Sequence, residues 1–144
     1  MDLRALELGP LWVLSALSGT GNRFDARELS AFWDALVAVA LRTPEPARGL
    51  LTSLTDDRTG LLLAFELDDR PLVSGFAAVV RALASLEPAV AEDYRIALLR
   101  IGTSLGRSRG PYGERISASD TQLLLLVAEL LEIRSARLSD DQLV

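Results

Sequence analysis

Between residues 26 and 41 the apolar side chains Leu29, Phe32, Trp33, Leu36, Val37 and Ala40 recur at steps of three and four. That period lays them along one face of an amphipathic helix, predicted to run from about Ala26 to Leu41 and to be closed by Pro44 and Pro46. Its start is also legible. Asp25 is a capping residue, Glu28 stands at the third helical position from which a carboxylate can reach back, and Phe24 can pack on Leu29 as a hydrophobic staple.

The start signal is written twice. GNRFDARE, residues 21 to 28, is echoed by GERISASD, residues 113 to 120, with Ser117 as the cap, Asp120 at the third position and Ile116 ahead of the cap. The second copy opens a helix containing the run Leu123 to Val127 and then Leu130, Leu131 and Ile133. Upstream of each octet lies another helical stretch, Leu6 to Leu17 and Val90 to Leu105, ending at Gly19 and Gly106, where a left-handed residue costs little. Pro88 suits the first turn of the latter.

The chain therefore reads as an all-α bundle of about six to seven helices, a single domain with an internal repeat of helical hairpins at 5–42 and 89–134. Residues 43–88 supply connecting helices, expected at Gly49 to Leu54, Gly60 to Leu67 and Leu72 to Leu86. The last follows Pro71 and the cap candidates Asp68 and Asp69. No stretch makes a persuasive strand: Leu61 to Leu63 could open one, but Ala64, Glu66 and the want of β-branched residues argue against it. Residues 135–144 are expected to fray.

Composition narrows the chemistry. There is neither Cys nor His, which excludes disulfides, thiolate nucleophiles, Ser-His and Cys-His pairs, the usual zinc sites and haem ligation through His. All 15 basic residues are Arg against 20 acids, a net charge of −5 that disfavours general nucleic-acid binding, including binding by a helix-turn-helix. The charge-free stretch Gly9 to Asn22 is too short and too polar to span a membrane, and the N-terminus lacks a signal-peptide pattern. A cytoplasmic, bacterial protein is expected.

Two hairpins, each with a glycine-bearing loop, an apolar residue, a polar cap and an acid three positions on, resemble the TerB-like fold of tellurite-resistance and stress proteins. The residues that carry the resemblance are Gly21-Asn22-Arg23-Phe24-Asp25 with Glu28, and Gly113-Glu114-Arg115-Ile116-Ser117 with Asp120. The resemblance implies hairpins packed about a pseudo-twofold axis over roughly residues 5 to 135, and a stress-response role. That family's loops often read Ala-Asp-Gly and carry acids for a divalent cation. Neither matching position here holds Asp, so Glu28 and Asp120 are read as capping residues, and no metal or cofactor is expected.

One stretch is locally basic. Arg100, Arg107, Arg109 and Arg115 have only Glu114 among them, and Gly106, Gly110 and Gly113 open the chain between. Arg107, Arg109, Tyr112 and Arg115 are thus candidates for holding an anion or an acidic partner segment. A solvated loop whose arginines pair with nearby acids, or a Tyr112 packed across the hairpin, accounts for the same residues. No catalytic residue is assigned. The acids at 56–57 and 66–69 read as caps and turns, and Trp12, Phe32, Trp33, Phe65, Phe76 and Tyr94 as core. The function expected is a non-enzymatic protein-interaction or stress-response module, with self-association suggested by the many leucines of the last helix; the alternative is a small-ligand or anion-binding protein or enzyme using the Arg-rich loop 106–116.

Overall fold

In the computed structural model the described residues are 3–19, 23–109 (for Arg109 the backbone alone) and 116–133. Among them are seven α-helices and no strand: α1 (Leu3–Ser18), α2 (Ala26–Leu41), α3 (Ala47–Thr52), α4 (Arg58–Glu66), α5 (Leu72–Leu83), α6 (Pro88–Arg109) and α7 (Ala118–Leu130), with a 3₁₀ segment, Ser53–Asp57, leading into α4. The chain is the all-α helical bundle that its apolar periodicity implies.

Helices α1 and α6 form the centre. Along α1 Leu6, Leu8, Leu11, Trp12, Val13, Leu14 and Leu17 are all buried, and along α6 Tyr94, Leu98, Leu99, Ile101 and Leu105 are. An apolar surface on every side suits a helix with neighbours all round. The two pack on each other; α5 also lies on α1, α2 lies on α6, and α7 lies on both. The last helix, whose leucines suggest self-association, buries one side through Leu124, Val127, Ala128 and Leu131, while Leu125 and Leu126 face outward.

Both octets are helix starts. The Glu28 N–H donates to Asp25 Oδ1 at 2.7 Å and the Asp25 N–H to Glu28 Oε1 at 3.1 Å, a complete capping box. In the second, the Asp120 N–H donates to Ser117 Oγ at 3.1 Å. The apolar residue ahead of each cap is seated on another helix. Phe24 stacks on Phe65 of α4, ring centroids 5.8 Å apart, and Ile116 lies against Gly106 of α6.

The helix ends bring corrections. Gly19 closes α1 at φ 68° as expected, its N–H on Ser15 O. Gly106 does not close α6, which continues to Arg109. It is buried within the helix, where a Cβ would meet Ile116 Cγ2 at 3.2 Å, so its small size admits the chain entering α7. The left-handed residue that does end a helix is Glu132, at φ 59°. Its N–H bonds Glu129 O and that of Ile133 bonds Ala128 O, a Schellman closure of α7. Arg95 of α6 donates its Nε–H to Leu131 O at 2.9 Å across the same end.

The connecting helices exist but with shifted bounds, α3 and α4 beginning two residues earlier than expected and α5 ending at Leu83. Asp57 caps α4 by accepting from the Gly60 N–H at 3.0 Å. Asp68 and Asp69 do not cap α5, whose N-cap is Pro71 without a side-chain hydrogen bond. Proline holds Arg70 extended, and Asp68 turns to Arg70 instead. The expected frayed tail, 135–144, lies outside the described residues.

Candidate functional site

The described part of the Arg-rich stretch is helical. Arg100 lies in the body of α6, and Arg107 and the backbone of Arg109 in its last turns. Cations there complement the negative end of the helix dipole. Arg100 and Arg107 share one side of α6 but stand two turns, about 10 Å, apart along the axis, so they do not converge on one small anion. The Arg109 side chain, Tyr112 and Arg115 lie outside the described residues. Among the described residues no three Asp or Glu side chains are grouped so as to hold a metal ion.

A different place has the shape of a site. Between α1 and the corner joining α4 to α5, a cavity of about 430 Å³ is lined by Trp12, Ser15, Asp68, Asp69, Arg70, Pro71 and Leu72. Its size falls within the range of small-ligand pockets. The sequence brings these residues together through one turn of chain: α4 ends at Glu66, Pro71 blocks helix until Leu72, and residues 68–72 share the cavity with Trp12 and Ser15 of α1.

Trp12 is the floor, only 3% exposed. Its ring stands edge-on to Phe65, centroids 4.7 Å apart and planes at 72°, and it covers Gly75 in the first turn of α5. A Cβ on Gly75 would fall 2.2 Å from Trp12 Cε2, so only glycine allows this approach. Cε2 is bonded to Nε1, which places the indole N–H at the same turn of α5 as the cavity's Pro71 and Leu72. That Nε1 is buried and has no hydrogen-bond partner.

On the wall, Arg70 binds Asp68 side-on: Nε is 3.0 Å from Oδ1 and Nη2 2.6 Å from Oδ2. The Arg70 N–H also donates to Oδ1. The guanidinium beside Asp68 holds its carboxyl below the usual carboxylate range, against the opposing pull of burial. Asp69 is exposed. The lining therefore carries two carboxylates and one guanidinium, a net charge of −1.

Apolar side chains flank the corner. Leu63 on α4 and Leu67, one turn beyond it, are 54% and 74% exposed, and Val73 at the start of α5 is 61% exposed. Nearby, Arg23 pairs with Glu66 at 3.2 Å. Trp12 lies in the core, as its apolar surroundings in the sequence imply, but no sequence pattern announces its stranded N–H. Asp68 and Asp69, expected as caps, line the cavity instead. The available signal was Asp68-x-Arg70-Pro71, in which proline denies Arg70 a helical conformation and leaves the two side chains to pair.

No protein-family model, curated protein or solved structure matches the chain. No helix among the described residues is long and apolar enough to cross a membrane.

Proposed function

We propose that the protein is a non-enzymatic helical module that binds a partner polypeptide at its α4–α5 corner. The observation that carries this is the exposure of Leu63, Leu67 and Val73 beside a cavity with a buried aromatic floor. Apolar anchors around a concave, partly polar centre are the makings of a protein-binding patch. The carboxyl and guanidinium most deeply placed in the cavity are committed to each other, which suits a fixed recognition surface better than proton transfer.

The family setting belongs to the same proposal: a TerB-like module of the bacterial cytoplasm serving a stress response. Two features support it. Both octets begin helices, and exchanging the two hairpins preserves the packing pattern, since α1 meets α6 while α2 lies on α6 as α7 lies on α1.

A photo-crosslinking amino acid at position 67, with a control at the exposed Arg42, tests the reading in cells. A defined adduct at 67, absent at 42 and lost with Val73→Asp in a variant of unchanged helicity, supports it. Equal adducts at both positions, or none at 67, refute it, and an adduct of twice the chain's mass replaces the partner with a second copy.

A further inference from the structure

We infer that the outer face of α7 is a self-association surface, on which a second copy of this chain lays its own α7 antiparallel. The inference stands apart from the α4–α5 corner. One observation concerns what the fold leaves uncovered, and another what fits there.

The first comes from comparing the two hairpins. With the caps Asp25 and Ser117 set in register, Phe32, Ala35, Leu36 and Val39 fall on Leu124, Val127, Ala128 and Leu131, and all eight are buried. At the position beside Phe32 the hairpins differ. Trp33 is 8% exposed, with the Arg58 guanidinium of the connecting segment 4.7 Å over its ring, whereas the equivalent Leu125 is 44% exposed. The first hairpin covers this seat with its own chain. In the second, Leu125 and the adjoining Leu126 remain open to solvent.

The second observation is the pattern around those leucines. Ser119, Gln122, Leu125, Leu126, Glu129 and Glu132 are all exposed, and their spacing sets them along one side of α7 and its closing turn. Both acids stand at the C-terminal end of this stripe. Its N-terminal end is uncharged and offers a hydroxyl and an amide.

Turned end for end about a point midway between Leu125 and Leu126, the stripe matches itself. Leu125 meets Leu126, Gln122 meets Glu129 and Ser119 meets Glu132. Each carboxylate then faces a hydrogen-bond donor, and the negative end of each helix lies beside the positive end of the other. A parallel arrangement would set Glu129 on Glu129, two like charges in contact.

This symmetry selects the occupant. One helix carries both halves of the contact, which is the property of an isologous interface and not one that a different protein requires. A single helix laid on a single helix is at the small end of protein contacts, so the association is weak and reversible.

Sedimentation equilibrium of the full chain tests it. A reversible rise from monomer toward dimer mass is expected between about 10 µM and about 1 mM, the range of a contact this small. Leu126→Asp, at an exposed position, should hold the protein monomeric with unchanged helicity. Gln122→Arg should tighten the dimer up to about fivefold for each exposed ion pair it forms with Glu129. The register is read by mild oxidation, since the chain has no Cys of its own. Gln122→Cys combined with Glu129→Cys should give a disulfide-linked dimer, and either change alone should not.

Monomer mass throughout overturns the inference, as does a dimer indifferent to Leu126→Asp or a single-cysteine variant that crosslinks as fast as the double one. A dimer lost with Val73→Asp but not with Leu126→Asp moves the contact to the α4–α5 corner and overturns it equally. A defined partner adduct at position 67 from a chain that stays monomeric leaves the proposed function standing and removes this surface.

Discussion

The hydroxyl of Tyr94, on α6, donates to the carbonyl oxygen of Leu6, on α1, at 2.5 Å. Leu6 O is the oxygen that an N–H at position 10 would bond in a regular helix, and position 10 is Pro. The interior proline and the buried phenol are thus two halves of one arrangement, joining the two central helices at a point where neither group faces water.

Tyr94→Phe should therefore destabilise the protein by about 1–3 kcal/mol, the cost of leaving a buried acceptor unpaired. Adding Pro10→Ala restores an N–H to Leu6 O, so the double variant should recover much of the loss. Urea unfolding of the four proteins in this cycle checks it, and additive effects would contradict the coupling.

The same phenol predicts an alkaline limit. Burial, with a smaller contribution from the Glu7 carboxylate, raises the Tyr94 pKa far above its ordinary value. The unfolded chain releases this proton near pH about 10 while the native state retains it. Stability is then intact below that pH and falls as pH rises beyond it. Thermal unfolding of wild type and Tyr94→Phe through this range should show the slope weakened in the variant.

Asp68 acts at the acid end with the opposite sign. Its pKa is depressed by Arg70, so its contribution is present above pH about 4 and lost as pH falls through the lower native value. Asp68→Asn should flatten that part of the acid unfolding curve. Arg70→Ala should bring Asp68 back toward an ordinary titration, read from its carboxyl ¹³C shift.

At Gly75 the usual gain from placing alanine in a helix should be reversed. Ala over Gly is worth about 1 kcal/mol in a helix interior, but the new methyl would overlap the Trp12 ring, which cannot swing aside between Phe65 and α5. A net loss of about 1–3 kcal/mol is expected by denaturant titration.

Glu132 offers the converse. It holds a left-handed conformation at φ 59°, which costs a side-chain-bearing residue about 1–2 kcal/mol. Glu132→Gly should raise the melting temperature, since glycine keeps the Schellman hydrogen bonds without that strain.

Much of this architecture was legible because it is local. Asp25, Glu28 and Ser117 act within one turn of themselves, so spacing alone revealed their roles, and the step of three and four in α2 located Phe32, Trp33, Leu36 and Ala40 on its buried face, although Val37, of the same series, is exposed. What escaped was long-range. Gly106 resembles a terminator, yet in the folded chain it is the gap that receives Ile116. Asp68 resembles a cap, yet Arg70 claims it once Pro71 has bent the chain. The cavity escaped altogether, because its floor and wall come from Trp12 and residues 68–72, and no local pattern records that α1 and the α4–α5 corner meet.

The capping box at Asp25 and Glu28 carries a practical corollary for engineering. A helix that holds its own beginning does not depend on how much chain arrives ahead of it. A spacer inserted ahead of Arg23, which pairs with Glu66, should leave α2 starting at the same residue.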